Sequence, residues 1–450
     1  MAGASTTAAR RARLLGRLGM DRPVLRAWVM YDWANSAFWA TVLQIFPVYF
    51  ISVVAADLPK TVANARYAWA TTFAMMVVAL ISPVLGAIAD YAGAKKKLMA
   101  VFIAIGVPAT AAMFFVHRGQ WVFGLAAYVL GNIGVAGSIV FYESLLPHIA
   151  GEAEVDRVSA AGYAMGYLGS GMLMALNLLW IQEPEWFGIP DRDTATRLSL
   201  LSAALWWLVF SFPLFRGVPE PPRSLEADER PGLNAARVAF SRLGETFHEL
   251  RRYRDAFLLL LAFLIYNDGI GTIIRMAAPY GTEIGIPPGA LIGAILLVQF
   301  VGIPFSFLFG FIAGKIGAKR SIFIALVTFV VITMIGYYMT SALHFFILAI
   351  LVGMVMGGAQ ALSRSLFASM IPRHKSAEFF AFYGVFDKFA GILGPMVFAM
   401  VIESTGSSRN AILSLFVFFL VGGALLAFVD VEKGQRLARQ AEADVRLEPA

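Results

Sequence analysis

Cysteine is absent from this chain of 450 residues. That excludes thiol catalysis, disulfide cross-links and thiolate metal sites, and it leaves the compartment open. Charge is scarce too. Asp, Glu, Lys and Arg make up 14% of the residues, against about 25% in an ordinary soluble domain. Histidine is rarer still, with five in all. His117, His148, His248, His344 and His374 fall in loops or at the ends of apolar stretches. No His-x-x-x-His pair lies inside such a stretch, which argues against a membrane metalloprotease. There is no Gly-x-x-x-x-Gly-Lys-Ser/Thr loop either, so ATP is not expected to drive the protein directly. No cofactor, metal or enzymatic activity is expected.

What fills the sequence instead is apolar. Hydrophobic residues reach 59% and mean hydropathy is +0.72. A soluble protein of this composition has too little polar surface to face water. The composition excludes a disordered chain, a disulfide scaffold and an ordinary soluble enzyme. It predicts an all-α integral membrane protein crossing the bilayer many times. A hydrocarbon core of about 30 Å needs roughly 20 apolar residues per helix. Twelve stretches qualify: 28–55, 67–90, 97–116, 121–145, 160–181, 197–215, 256–280, 289–313, 321–340, 344–368, 378–402 and 410–430. They are apolar all round, as lipid-embedded helices are. The alternation of a transmembrane barrel is missing.

The basic residues give an orientation. With the N-terminus, the loops following even-numbered spans and the C-terminal tail on one side, 27 Lys and Arg fall there and 6 on the other. This predicts an inner or plasma membrane protein with both termini in the cytoplasm. It also accounts for the net charge of +7 without nucleic acid. The run Arg10, Arg11, Arg13, Arg17 reads as a cytoplasmic arm over residues 1–27, lying on anionic lipid. The expected organisation is then a six-span half over 28–215, a linker over 216–255, a second half over 256–431 and a tail over 432–450. The linker opens with Pro219, Pro221 and Pro222. Leu233, Ala236, Phe240, Leu243, Phe247 and Leu250 then follow at helical spacing, predicting an amphipathic surface helix.

The two halves carry a repeat. Gly86-Ala-Ile-Ala-Asp90-Tyr-Ala-Gly93-Ala-Lys95-Lys96 follows span two, and Gly310-Phe-Ile-Ala-Gly314-Lys-Ile-Gly317-Ala-Lys319-Arg320 follows span eight. Leu146-Pro147 and Ile371-Pro372 recur at almost the same offset. Two matches near half the chain length indicate duplication. In the first copy Gly86 and Gly93 allow close packing and a tight turn. Asp90 suits a helix N-terminus and a basic partner. Lys95 and Lys96 hold the loop on the cytoplasmic side.

The Gly86–Lys96 run resembles the loop motif of the major facilitator superfamily, and the resemblance extends over all twelve spans. Tyr31-Asp32-Trp33-Ala34-Asn35-Ser36-Ala37-Phe38 is similar to the opening motif of one branch, that of the fungal vacuolar amino-acid effluxers and their bacterial relatives. Gln360-Ala-Leu-Ser363-Arg364-Ser365 and Lys388-Phe-Ala-Gly391-Ile-Leu-Gly394-Pro395 resemble the same branch. The resemblance implies two six-helix halves rocking about a central site and small-solute export. It implies a gate latch at Asp90, put in doubt in the second copy by Gly314. It also implies a cavity lined by spans one, four, seven and ten.

Ionisable residues inside a bilayer are costly, at about 2.5–3.5 kcal/mol each on the mildest scale. Those present are therefore candidates for the site. Asp32, Asn35, Ser36 and Trp39 share a face of span one, with Asp32 either in the cavity or capping the helix. Asn132 and Glu143 lie on span four. Asn267, Asp268 and Arg275 share a face of span seven, where Asp268 is the expected proton carrier and Arg275 a carboxylate binder. Gln360, Ser363 and Arg364 lie on span ten, and Glu143 is expected to meet Arg364 across the halves when the inner gate closes. Lys388 follows Asp387 directly, so the two point about 100° apart and make poor partners. The expected ligands are a small polar solute, with amino acids the first guess, and protons. The protein is expected to act as a monomer. Drug or lipid efflux is the alternative within transport, and a membrane-embedded receptor or enzyme the alternative outside it.

Overall fold

A computed structural model describes residues 14–225, 253–391, 393–443 and 446–448. The amphipathic helix expected over 233–250 lies outside the described residues. Among the described residues, twelve helices are long and apolar enough to cross a membrane. They are Pro23–Val54, Val62–Ala92, Lys95–Phe115, Trp121–Ile149, Val155–Gln182, Arg192–Gly217, Arg254–Glu283, Gly293–Ile316, Ala318–Tyr337, Ala342–Ser369, Arg373–Thr405 and Ser408–Ala427, spans one to twelve below. The protein is an all-α, multi-pass integral membrane protein. One short ladder joins Arg223–Leu225 to Arg446–Glu448, antiparallel.

Local chemistry sets the ends. Pro23 opens span one, where a missing N–H costs nothing. Asp191, Ser341 and Ser407 cap spans six, ten and twelve through their side chains. Gly93 closes span two at φ 60°, a conformation glycine adopts without penalty. Span one starts five residues before the expected Trp28. It is also irregular, with π-helical turns at Phe38–Val42 and Phe50–Val54 around Pro47. Such turns concentrate at functional positions. Span eleven is broken into helices Ser376–Phe389 and Leu393–Thr405.

Within the first half, span one packs on five and six, and span three on four and six; within the second, span seven packs on twelve, and span ten on eight and nine. Across the halves, span five packs on spans eight and ten, and span two on span eleven. The two described ends lie on one face of the bundle. Arg22 pairs with Glu154, and Arg439 with Glu152. We call this the terminal face.

The duplication shows in the packing as well as in the motif. Lys96 Nζ donates to the carbonyls of Phe215 (3.0 Å) and Val218 at the end of span six. Lys319 Nζ donates to those of Ala427 and Val429, at 2.8 Å each, at the end of span twelve. Each half thus closes its last helix with a lysine of its repeat, at neighbouring positions of the motif because Lys319 aligns with Lys95 and Arg320 with Lys96, satisfying terminal carbonyls.

Candidate functional site

Between the halves lies a cavity of about 440 Å³. Its polar wall comes from spans one, four, five, eight, ten and eleven. Span one presents Asp32, Asn35, Ser36 and Trp39 on one face, as the i, i+3, i+4, i+7 spacing predicts. Span four supplies Tyr142 and Glu143, span five Tyr163 and Tyr167, span ten Gln360 and Arg364, and span eleven Asp387 and Lys388. Gln44 and Ile274 also line the cavity and are exposed, so it reaches the surface away from the terminal face.

Arg364 seals the end towards the terminal face, with a side chain 2% exposed. Its Nη2 donates to Asp32 Oδ2 at 3.1 Å and to the Ser159 carbonyl at 2.9 Å, and its Nε donates to Ser159 Oγ at 2.9 Å. Tyr142 donates its hydroxyl to the same Asp32 oxygen at 2.8 Å. The guanidinium carbon lies 4.6 Å from the Tyr163 ring centre and 5.0 Å from that of Trp28. Hydrogen bonds and aromatic faces together replace the water that a buried ion pair gives up. Glycine is required beside the pair. A Cβ on Gly162 would fall 2.1 Å from Asp32 Oδ2.

The partner expected for Arg364 was Glu143. It is the more distant of two, at 3.9 Å, and the short bridge goes to Asp32. Nor is Asp32 a helix cap, since its helix begins at Pro23.

Asp387 and Lys388 correct a second expectation. Their Cβ atoms diverge, yet Lys388 Nζ bonds Asp387 Oδ2 at 2.8 Å. Both sit in the last turn of a helix that stops at Phe389. Lys388 Nζ also lies 4.9 Å from the Trp39 ring centre, across the halves. Asn267 Nδ2 donates to Asp387 Oδ1 at 3.1 Å, and Gln360 Nε2 donates to Asn267 Oδ1 at 3.4 Å.

The rest of span seven faces elsewhere. Phe263 and Ile274 are its cavity residues. Asp268 is fully buried behind the wall and accepts from the Gly394 N–H at 2.8 Å, capping the second piece of broken span eleven. Arg275 Nη2 stands 3.8 Å from Asp268 Oδ1. Neither Asp268 nor Arg275 lines the cavity. Asn132 also misses it, for its Nδ2 bonds the Tyr128 carbonyl of its own helix. Sequence reasoning missed Tyr163 and Tyr167, whose signal is hydroxyl-tipped rings at i and i+4 on an apolar helix.

At the terminal face Asp90 does both things its position suggests. Oδ2 accepts from the Glu378 N–H at 3.0 Å, in the first turn of span eleven's first piece, and Oδ1 pairs with Lys95 at 2.7 Å. Lys95 is 2% exposed, so it is a buried partner rather than a loop anchor. It also reaches Ser376 Oγ at 2.5 Å and His148 Nε2 at 2.8 Å. Gly86 lets the halves touch, since a Cβ there would fall 2.6 Å from the Ala377 carbonyl oxygen. The Lys96 amide donates to both Glu220 oxygens at 2.9 and 3.1 Å. Burial of Glu220 outweighs these bonds and raises its pKa. The second copy has no such latch. Around Gly314 there is open space.

Two six-span halves enclosing a charged interior cavity define a transporter of the major facilitator type. The solved proton:xylose symporter XylE shares this fold, with a TM-score of 0.69 at 12% identity over 94% of this chain and 98% of that one. Residues 59–439 match the family described as "Vacuole effluxer Atg22 like", and the chain belongs to that family. A Bacillus subtilis protein named as an MFS-type transporter, YxiO, is 35% identical over 92% of this chain and 96% of its own length. Autophagy-related protein 22-1 of Aspergillus niger is 28% identical over 65% of this chain and half of its own.

Proposed function

We propose that the protein is a secondary active transporter that exports or redistributes a small polar solute, amino acids or related zwitterions first among them, by alternating access. One observation carries this reading. The cavity opens away from the terminal face, is sealed at that face by the Asp32–Arg364 pair, and presents carboxylates and cations together. Asp32, Glu143 and Asp387 suit an amine; Arg364 and Lys388 suit a carboxylate. The family's description as vacuole effluxer-like supports export. The 27-to-6 split of basic residues supports cytoplasmic termini in an inner or plasma membrane. The cavity is complete within one chain, which supports a monomer.

Protons are proposed as the coupling ion. Asp268 stands behind the cavity wall, so Glu143, whose ion pair is the longest among the cavity carboxylates, takes the carrier role here. Purified protein in liposomes, given a panel of labelled amino acids and a pH gradient, tests the reading. Saturable uptake that collapses with a protonophore is expected. Gradient-independent leakage alone counts against it.

Drug or lipid efflux has one observation in its favour. An apolar pocket of about 210 Å³ adjoins the cavity and shares Gln44, Tyr167 and Gln299 with it. Transport of amphipathic dyes with no amino-acid uptake would select that reading.

A further inference from the structure

The C-terminal tail crosses the seam between the halves. Helix Val431–Ala443 turns Gly434, Ala438 and Ala441 inward at i, i+4 and i+7, small residues that let it lie close. Its start is fixed to the second half. The Asp430 amide donates to Asp255 Oδ1 at 3.0 Å, and Lys433 pairs with Asp255 at 3.7 Å. Gln435 donates to Ser369 at 3.1 Å, and Glu442 accepts from the Arg373 amide at 2.9 Å.

Further along, the tail holds the first half. Arg439 pairs with Glu152 at 3.6 Å. Arg446–Glu448 then forms the ladder with Arg223–Leu225. That strand follows span six and is tied to span two, because Arg223 Nε donates to the Tyr91 carbonyl at 3.0 Å. Beneath the helix lies a cavity of about 220 Å³ walled by both halves and the tail, with Glu152, Arg373, Arg439 and Glu442 around it.

We propose that helix 431–443 and strand 446–448 form a strap that docks on the terminal-face seam and holds the gate shut. The occupant of this surface is the chain's own tail. Opening the terminal face separates Glu152 and strand 223–225 from the second half, so the strap must let go of the first half at Arg439 and at the ladder before the cavity opens there. The tail thereby sets how much of the population is closed without touching the solute.

This inference rests on the rocking motion proposed above, and its test separates the two. The chain has no cysteine, so Lys97→Cys and Arg320→Cys, both exposed on the terminal face in opposite halves, accept a clean pair of spin labels. Distances are measured in the intact chain, in Arg439→Glu, in Glu152→Arg, in the double exchange, in a chain ending at 430, and in Arg364→Ala as the gate control. The single charge changes should raise the long-distance population by up to about fivefold, the worth of one exposed ion pair. The double exchange should restore the short distance, and truncation should exceed either single change. Long distances in Arg364→Ala but unchanged distances in every tail variant overturn the strap and leave the rocking reading standing. Long distances in none of them overturn both. The exchange pair decides the matter where truncation alone prevents folding.

Discussion

Arg364 and Asp32 meet at 3.1 Å from positions 332 residues apart, one in each half of the chain. Removing one partner leaves a buried charge without compensation, which costs about 3–5 kcal/mol. Arg364→Ala is therefore expected to lower the melting temperature clearly and to reduce uptake by at least about tenfold. Asp32→Asn follows the same course, because the amide keeps a hydrogen bond to Arg364 but not the charge. Scanning fluorimetry and proteoliposome uptake check both.

Glu143 stands 3.9 Å from the same guanidinium and accepts none of its short bonds. Glu143→Gln should lose far less thermal stability than Asp32→Asn. If Glu143 carries the coupling proton, that variant keeps counterflow exchange and loses accumulation against a gradient. Accumulation that survives at the level of the unchanged protein rejects the role. Exchanging Asp32 and Arg364 is the companion test. Rescue of transport in the swapped double variant ties the pair to the gate.

Asp268 was the acid that the sequence made most conspicuous, and the structure places it behind the cavity wall at a helix junction. Its carboxylate accepts the Gly394 N–H where span eleven restarts. Asp268→Ala orphans a buried donor, a loss of about 1–3 kcal/mol, whereas Asp268→Asn retains an acceptor and should lose less. Gly394→Ala should be worse than either, since a Cβ there falls 2.0 Å from Thr272 Oγ1. Melting curves in detergent rank the three. A proton-carrying role would instead make Asp268→Asn stable and uncoupled.

What the sequence disclosed follows from the range of each interaction. Twelve apolar runs, the face Asp32–Asn35–Ser36–Trp39 and the Gly86–Lys96 turn are local patterns, and each shows its geometry within a few residues. The Asp32–Arg364 bridge joins ends of the chain that only packing brings together, so the sequence named both residues and one partner of Arg364, Glu143 at 3.9 Å, but not the closer one. Asp387 and Lys388 were misjudged because helical angle places Cβ atoms, not the tip of a four-carbon stem. Asp268, Arg275 and Asn132 are polar residues in apolar helices, and depth alone does not separate a cavity wall from a helix-breaking junction. Tyr163 and Tyr167 escaped because tyrosine counts among the hydrophobic residues, although both line the void.

Asp191 offers a pH test outside the membrane. Its side chain accepts the Thr194 N–H at 2.7 Å, which holds its carboxyl below the ordinary Asp value. A carboxyl depressed in the folded state stabilises at pH above its unfolded value, about 3.9, and loses that contribution as pH falls through the folded one. Asp191→Ala should therefore melt earlier than the parent at neutral pH. The gap should close as the pH falls below the usual Asp range. A gap that stays constant down to that pH means the cap contributes through shape and not charge.

Gly86 carries the sharpest steric prediction. A Cβ there sits 2.6 Å from the Ala377 carbonyl oxygen and 2.9 Å from its carbon, and both belong to backbone in the opposite half, which cannot rotate aside. Gly86→Ala must push span eleven away from span two and weaken the Asp90 bond to Glu378 N–H beside it. The terminal face should open, raising the long-distance population in spin-label measurements and lowering uptake. Gly314, which stands in the place of Asp90 in the second repeat, is the control within the same motif, since a Cβ there meets nothing within 4 Å. Gly314→Ala should leave both readouts unchanged. Equal effects at the two positions would mean that the duplicated turn works through chain flexibility instead of contact between the halves.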